Sequence, residues 1–266
     1  MTRSIDPLDY QTVPRPIAAM AKRFRDGHRI QPHRHARAQF IYAVTGTMSI
    51  STDRGTWLVP PDRALWMPAG EQHAIDIAGT VDMRTLYIDI EASAHLNQKC
   101  RVVGVNSLLR ALIVRATELP VLYDEQGPAA AVMQLILAEI ATAPALPLHL
   151  PMPRDRRLLK LCQLLQAELE RDRTREHYAS RVGLSPRTLT RLFRVETGLG
   201  FSEWRQQARL LAALGRLAAG ESVTAVALGL GYASPSAFSA MFRRVLGVAP
   251  SAYRPRAESD RSAGGQ

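Results

Sequence analysis

Cysteine is nearly absent from this chain: Cys100 and Cys162 are the only two in 266 residues, and neither sits in a CxxC pair. That excludes a disulfide scaffold and a cysteine-based zinc site. Long apolar runs are missing as well. No stretch approaches the roughly 18 apolar residues of a membrane span, and the opening MTRSIDPLDYQTVPRP lacks the apolar centre of a secretion signal. A soluble, cytoplasmic protein with no membrane partner is expected. Lysine is scarce in the second half, where arginine replaces it. Residues 154–261 hold 18 Arg and 1 Lys against 10 acidic residues, nearly all of the formal net charge of +10. The remainder is almost neutral. A basic half beside a neutral one points to a polyanion partner for one half only, although Arg-rich coding produces the same composition. The motifs decide between these.

The length suits two domains. From about Phe24 to Ile90, segments such as QFIYAVTG, GTWLVP and MRTLYIDI alternate apolar and polar residues between Gly, Pro and Asp, the pattern of short strands in a sandwich or barrel. From Ser107 to Ala143 the period becomes helical. The second helix there is unusually apolar over residues 132–137, so it is either buried or paired with a second copy of itself. APALPLHLPMPRD reads as an interdomain linker, and everything from Arg156 to Tyr253 reads as helix. The expected divisions are a sensing domain at 1–95, a helical dimerisation or connector segment at 96–143, a Pro-rich linker at 144–155, a DNA-binding domain at 156–254 and a disordered tail at 255–266.

Two helix-turn-helix patterns lie in the basic half, REHYASRVGLSPRTLTRLFR and SVTAVALGLGYASPSAFSAMFRR. Each places a small residue, Ala179 or Ala227, four positions before a glycine, Gly183 or Gly231. Closely crossing helices need the small side chain, and the tight turn favours positive φ. In the first unit Ser185 caps a helix opened by Pro186. Burying Leu189, Leu192 and Phe193 leaves Arg187, Thr188, Thr190, Arg191 and Arg194 outside. Arginine forks onto guanine edges or phosphates, and threonine meets phosphates or a thymine methyl. In the second unit Ser234 caps a helix whose outer face carries Ser236, Ala237, Ser239, Ala240, Arg243 and Arg244. Small residues there permit close approach to a duplex but offer few base-specific bonds, so this head is expected to read shape and phosphates. A long helix at 201–220 spaces the two heads for successive major-groove faces. Its Arg205 and Arg209 face either the phosphate backbone or solvent.

The stretch from about Leu158 to Arg254 resembles the AraC/XylS family of bacterial regulators, with GYASPSAFSAMFRRVLGVAPSAYR carrying the likeness. The resemblance assigns base contacts to Arg187, Thr190 and Arg191 in the first recognition helix and to Ser236, Ala237 and Ala240 in the second. Ala240 departs from the polar or basic residue of many relatives. Promoter DNA is the implied partner, with a homodimer and contact with RNA polymerase as further expectations. The N-terminal half resembles the cupin barrels. Gly27, His33-Arg34-His35, Gln39 and Gly46 match their first motif, with Gln39 replacing the usual acidic ligand. Pro68, Gly70 and His73 match the second, with Asp62 in place of its leading glycine and Ile77 in place of its asparagine. The implied fold is a small antiparallel double-stranded barrel with a central pocket. A cupin sensor joined by helices to this DNA-binding module is the familiar arrangement of the family.

His33 and His35 alternate with Arg34 and so share one face. His73 completes a three-histidine set suited to Zn, Ni or Fe(II), with Gln39 a weak oxygen donor. The alternative is a polar pocket without metal. Trp57, Trp66, Tyr42 and Tyr87 lie on the strands and either wall an apolar effector pocket or fill the barrel core, the commoner role for at least half of them; Trp66 and Tyr42 are the pocket candidates, Trp66 first. The motif holds no second acid/base carboxylate, and a non-enzymatic regulator with an unidentified small-molecule effector is expected. A cupin metalloenzyme with a DNA-binding tail, or a constitutive regulator whose barrel only assembles the protein, are the competing readings.

Overall fold

The computed structural model describes residues 4–96 and 98–253. The tail expected at 255–266, and Arg254 of the signature, lie outside them. The chain divides into two compact units, Met1–Pro151 and Met152–Gln266.

The first unit contains β1 (Ile17–Phe24), β2 (Arg29–His33), β3 (Ala38–Thr52), β4 (Gly55–Val59), β5 (Arg63–Met67), β6 (His73–Ile88), the short α1 (Ile90–Ser93), β7 (Arg101–Gly104), α2 (Ser107–Ala116), α3 (Pro128–Thr142), β8 (Ala145–Leu146) and β9 (His149–Pro151). The strands form one antiparallel nine-stranded sheet. Its axis is the long pair β3–β6, whose register shifts near Thr45 and Thr47. Such bulges bend and twist a sheet, and side chains from β1, β2, β3 and β6 consequently meet around one cavity. Because successive side chains point to opposite faces, the other face buries Phe40, Tyr42, Trp66 and Leu86. They pack against Leu109 and Ile113 of α2 and Met133, Ile136 and Ile140 of α3.

Three expectations are corrected here. Tyr42 and Trp66 do not wall the pocket. They are neighbours across the β3–β5 pair, through Phe40 opposite Trp66, and both face the helices. Residues 144–155 are not a free linker either. β8 pairs with β7 and β9 with β4, and Leu148 and Leu150 are buried. The prolines are compatible because Pro144 and Pro147 fall outside the strands and Pro151 ends one, where no ladder N–H is lost. The sheet also begins earlier than expected, with β1 starting at Ile17 and ending at Phe24.

In the second unit α4 (Arg156–Ala167) is followed by α5 (Arg175–Arg181), α6 (Pro186–Thr197), α7 (Phe201–Ala218), α8 (Val223–Gly229) and α9 (Pro235–Leu246). α5–α6 and α8–α9 are the two helix-turn-helix units, and α7 lies between them in sequence. Side-chain caps start five of these helices, from Asp155, Thr174, Ser185, Ser222 and Ser234. Phe193 packs edge-on against both Phe201 and Trp204, while Phe238 meets Tyr232 and Phe242.

Candidate DNA-reading face and sensor pocket

The two helix-turn-helix units repeat one local geometry. Gly183 has φ of 67° and Gly231 of 77°, the left-handed region glycine occupies without cost. In each, the N–H just past that glycine returns to the small residue at the crossing: Leu184 to the Ala179 carbonyl and Tyr232 to the Ala227 carbonyl, both at 3.0 Å. Ala179 and Ala227 are fully buried. The turns differ in length, since only Leu184 separates Gly183 from its cap Ser185, whereas Tyr232 and Ala233 precede Ser234.

On α6, Leu189 and Phe193 are buried, while Arg187, Thr190, Arg191 and Arg194 are exposed and Thr188 is half-buried. Thr188 joins the cap, its hydroxyl accepting from Ser185 Oγ at 2.9 Å. Thr190 donates its hydroxyl to the Pro186 carbonyl at 2.9 Å. Arg175 at the start of α5 reaches Thr190 Oγ1 at 3.4 Å and lines a shallow surface depression with Arg187 and Arg191. Sequence reasoning missed Arg175, which lies outside the recognition helix; its place in the first turn of the preceding helix was the available signal. On α9, Ser236, Ala237, Ala240, Arg243 and Arg244 are exposed and Ser239 half-buried. Its cationic groups are thus confined to the C-terminal end. Arg205 and Arg209 of α7 are not free for a phosphate. Arg205 donates to the Arg171 carbonyl at 2.6 Å and pairs with Asp172, and Arg209 donates to the Leu169 carbonyl at 2.8 Å. They brace α7 against the segment that follows α4.

In the first unit His33 ends β2 opposite His73 of β6, and His35 follows in the turn before β3. Gly70 of the PAGEQH turn donates its N–H to the His35 carbonyl at 2.9 Å and so ties the two motifs together. One ligating atom from each of His33, His35 and His73 falls within 4.8 Å of the others. Burial pushes His35 and His73 down to about 4, with His33 nearby adding to the effect, so both imidazoles are neutral at neutral pH. This is the protonation state a metal ligand needs. Gln39 lines the adjoining cavity with His33 and His35, and its side chain hydrogen-bonds Tyr87. The cavity measures about 120 Å3, and Met20, Phe24, Ile41 and Met83 form its apolar side.

The N-terminal segment reaches this cavity through Pro7, and Tyr10 stacks on Tyr87. Arg37, only 7% exposed, anchors the segment by donating to the carbonyls of Gln11, Val13 and Arg15. Asp62 takes φ of 60° where the barrel motif has glycine, and its carboxylate accepts from Tyr42 and Arg110. Trp57 faces neither site: it stacks at 4.2 Å on His149 of β9.

Residues 18–136 match the AraC-like ligand binding domain family, and residues 178–256 match a helix-turn-helix domain family. The HTH-type transcriptional regulator NimR of Escherichia coli K12 is 30% identical over 224 residues, covering 84% of this chain and 82% of NimR. The chain belongs to the AraC family of transcriptional regulators. Regulatory protein PocR of Salmonella typhimurium is 34% identical over 105 residues, 39% of this chain and 35% of PocR. Among solved structures, ToxT of Vibrio cholerae aligns over 90% of this chain and 97% of its own, with 12% identity and a TM-score of 0.38. This AraC-family chain is therefore a DNA-binding transcriptional regulator carrying an AraC-like ligand-binding domain. Among its described residues no helix is long and apolar enough to cross a membrane.

Proposed function

We propose that the chain is an effector-responsive regulator in which α6 reads bases, α9 clamps the backbone and the histidine-lined cavity receives a small molecule. The observation that carries the reading is the exposed face of α6, where Arg187, Arg191 and Arg194 project from a capped helix buttressed by a buried aromatic cluster. Guanidinium groups on a rigid helix suit guanine edges and phosphates. On α9 the alanines give close approach, and Arg243 and Arg244 supply phosphate contacts. A non-enzymatic role is supported by the relatives, which are transcriptional regulators.

Two copies associate through the helical layer of the first unit in this reading. Within the 132–137 stripe Met133 and Ile136 are already buried against the sheet, whereas Leu135 on α3 and Leu108 on α2 are each 49% exposed. Effector binding acts on DNA affinity only if it favours one conformation. β8 and β9, which tie the end of the first unit to its sheet, are the elements through which such a change passes to Met152. Sedimentation of the full-length chain at micromolar concentration, alone and with a promoter-length duplex, tests assembly and DNA capture together. A dimer that carries the duplex is expected. A monomer that leaves the duplex free contradicts the reading.

A further inference from the structure

α6 carries two threonines near its start, and their hydroxyls are engaged differently. Thr188 is half-buried in the cap, where its hydroxyl accepts from Ser185 Oγ at 2.9 Å. Thr190 is exposed and stands three residues after Arg187 and one before Arg191, so it shares a face of the helix with Arg187 and adjoins Arg191. Its hydroxyl proton is committed inward, donated to the Pro186 carbonyl at 2.9 Å, and the same oxygen accepts from Arg175 Nη1 at 3.4 Å. A hydroxyl has one proton and two lone pairs. With the proton on the helix's own backbone and one lone pair facing Arg175, Thr190 has no donor left for a base. It therefore makes no bond to the acceptor atoms that guanine, adenine and thymine present in the major groove.

The group Thr190 still offers to a base edge is its γ-methyl. In the major groove the apolar feature is the 5-methyl group of thymine, so a methyl held there favours thymine over the other bases. Thr190 sits in the depression lined by Arg175, Arg187 and Arg191, and no acidic side chain is among the described residues that line it. Phosphate contacts from such a cluster fix register on the duplex. Threonine in a helix divides between two χ1 rotamers, and a donor from outside the helix favours the one that it bonds. Arg175, on the preceding helix, is that donor. We infer that Thr190 selects a thymine through its γ-methyl and not its hydroxyl, with Arg175 as the positioning residue that holds the side chain in this state. The inference rests on the reading in which α6 contacts bases, and names the base that one of its residues takes.

The test uses the full-length chain and the duplex it selects from a random library, with deoxyuridine replacing each thymine in turn. Deoxyuridine pairs as thymine does and lacks only the methyl. At one position within the block that Arg191→Ala alters, the replacement should weaken binding about fourfold, as expected for one methyl-sized apolar group. Thr190→Val keeps a γ-methyl without the hydroxyl and should retain that ratio. Thr190→Ser keeps the hydroxyl without the methyl and should lose it. Thr188→Ser is the control and should leave the ratio unchanged, whereas Arg175→Met should lower it. Each ratio compares two duplexes on the same chain, so a change in folded fraction or in overall affinity does not move it. Loss of the ratio in Thr190→Val, its retention in Thr190→Ser, or a constrained block in which no thymine is sensitive overturns the inference. An unchanged ratio in Arg175→Met overturns the positioning role. If selection yields no constrained block at all, the reading of α6 as a base reader fails and the inference fails with it.

Discussion

Replacing Arg191 by alanine should weaken binding to the preferred duplex by about 1–3 kcal/mol and relax the preference at one base position. Arg191 is exposed on α6, one turn beyond Arg187, and its Cα is held by a helix with a side-chain cap at Ser185 and a left-handed glycine, Gly198, at its end. The loss should appear mainly against the preferred sequence and only weakly against random duplex. Arg243→Ala on α9 is the control: it should weaken binding to all sequences by a similar factor and flatten the salt dependence, since a phosphate contact carries no sequence information. Equilibrium titrations against preferred and scrambled duplexes separate the two. Equal loss across sequences for Arg191→Ala would move that residue to the backbone.

The second large effect distinguishes two glycines that look equivalent in the sequence. Gly183→Ala places a side chain at φ of 67° with open space around it, so the cost should be the left-handed penalty of about 1–2 kcal/mol. Gly231→Ala has the same backbone penalty, and its added Cβ overlaps the main-chain carbonyl of Glu170. Backbone cannot swing aside as a side chain does, so a total of about 3 kcal/mol or more is expected. Hydrogen exchange of the α8 and α9 amides reads this locally. Protection should fall much further in Gly231→Ala than protection of α5 and α6 falls in Gly183→Ala. Comparable losses would mean that the turn of the second unit is less tightly seated than the structure shows.

Features written over a few consecutive residues were legible in the sequence. The caps Ser185 and Ser234, the turn glycines Gly183 and Gly231 and the buried Leu189 and Phe193 of α6 follow from local spacing, and the structure places each of them, whereas Leu192 is only half-buried. The histidine cluster was legible because two motifs name all three members. The wall of the cavity was not, since Met20 and Phe24 come from β1 and Met83 and Thr85 from the far end of β6, and only the bent pairing of the sheet unites them. Tyr42 shows a signal that was present and unused. Gln39 faces the cavity, so alternation along β3 sends Ile41 inward and Tyr42 outward. β8 and β9 carry no periodicity because they span two and three residues, and their proline content mimics a linker. Arg37 is similarly silent in sequence: its partners Gln11, Val13 and Arg15 become neighbours only after folding.

The central claim is that one of two similar heads reads sequence while the other clamps. Selection from a random duplex library by the full-length chain measures it directly. One strongly constrained block of base pairs is predicted, accompanied about one helical turn away by a weakly constrained one. Within the strong block, the Arg191→Ala chain should lose constraint at a single position. Two equally constrained blocks, or no constrained block at all, would contradict the account.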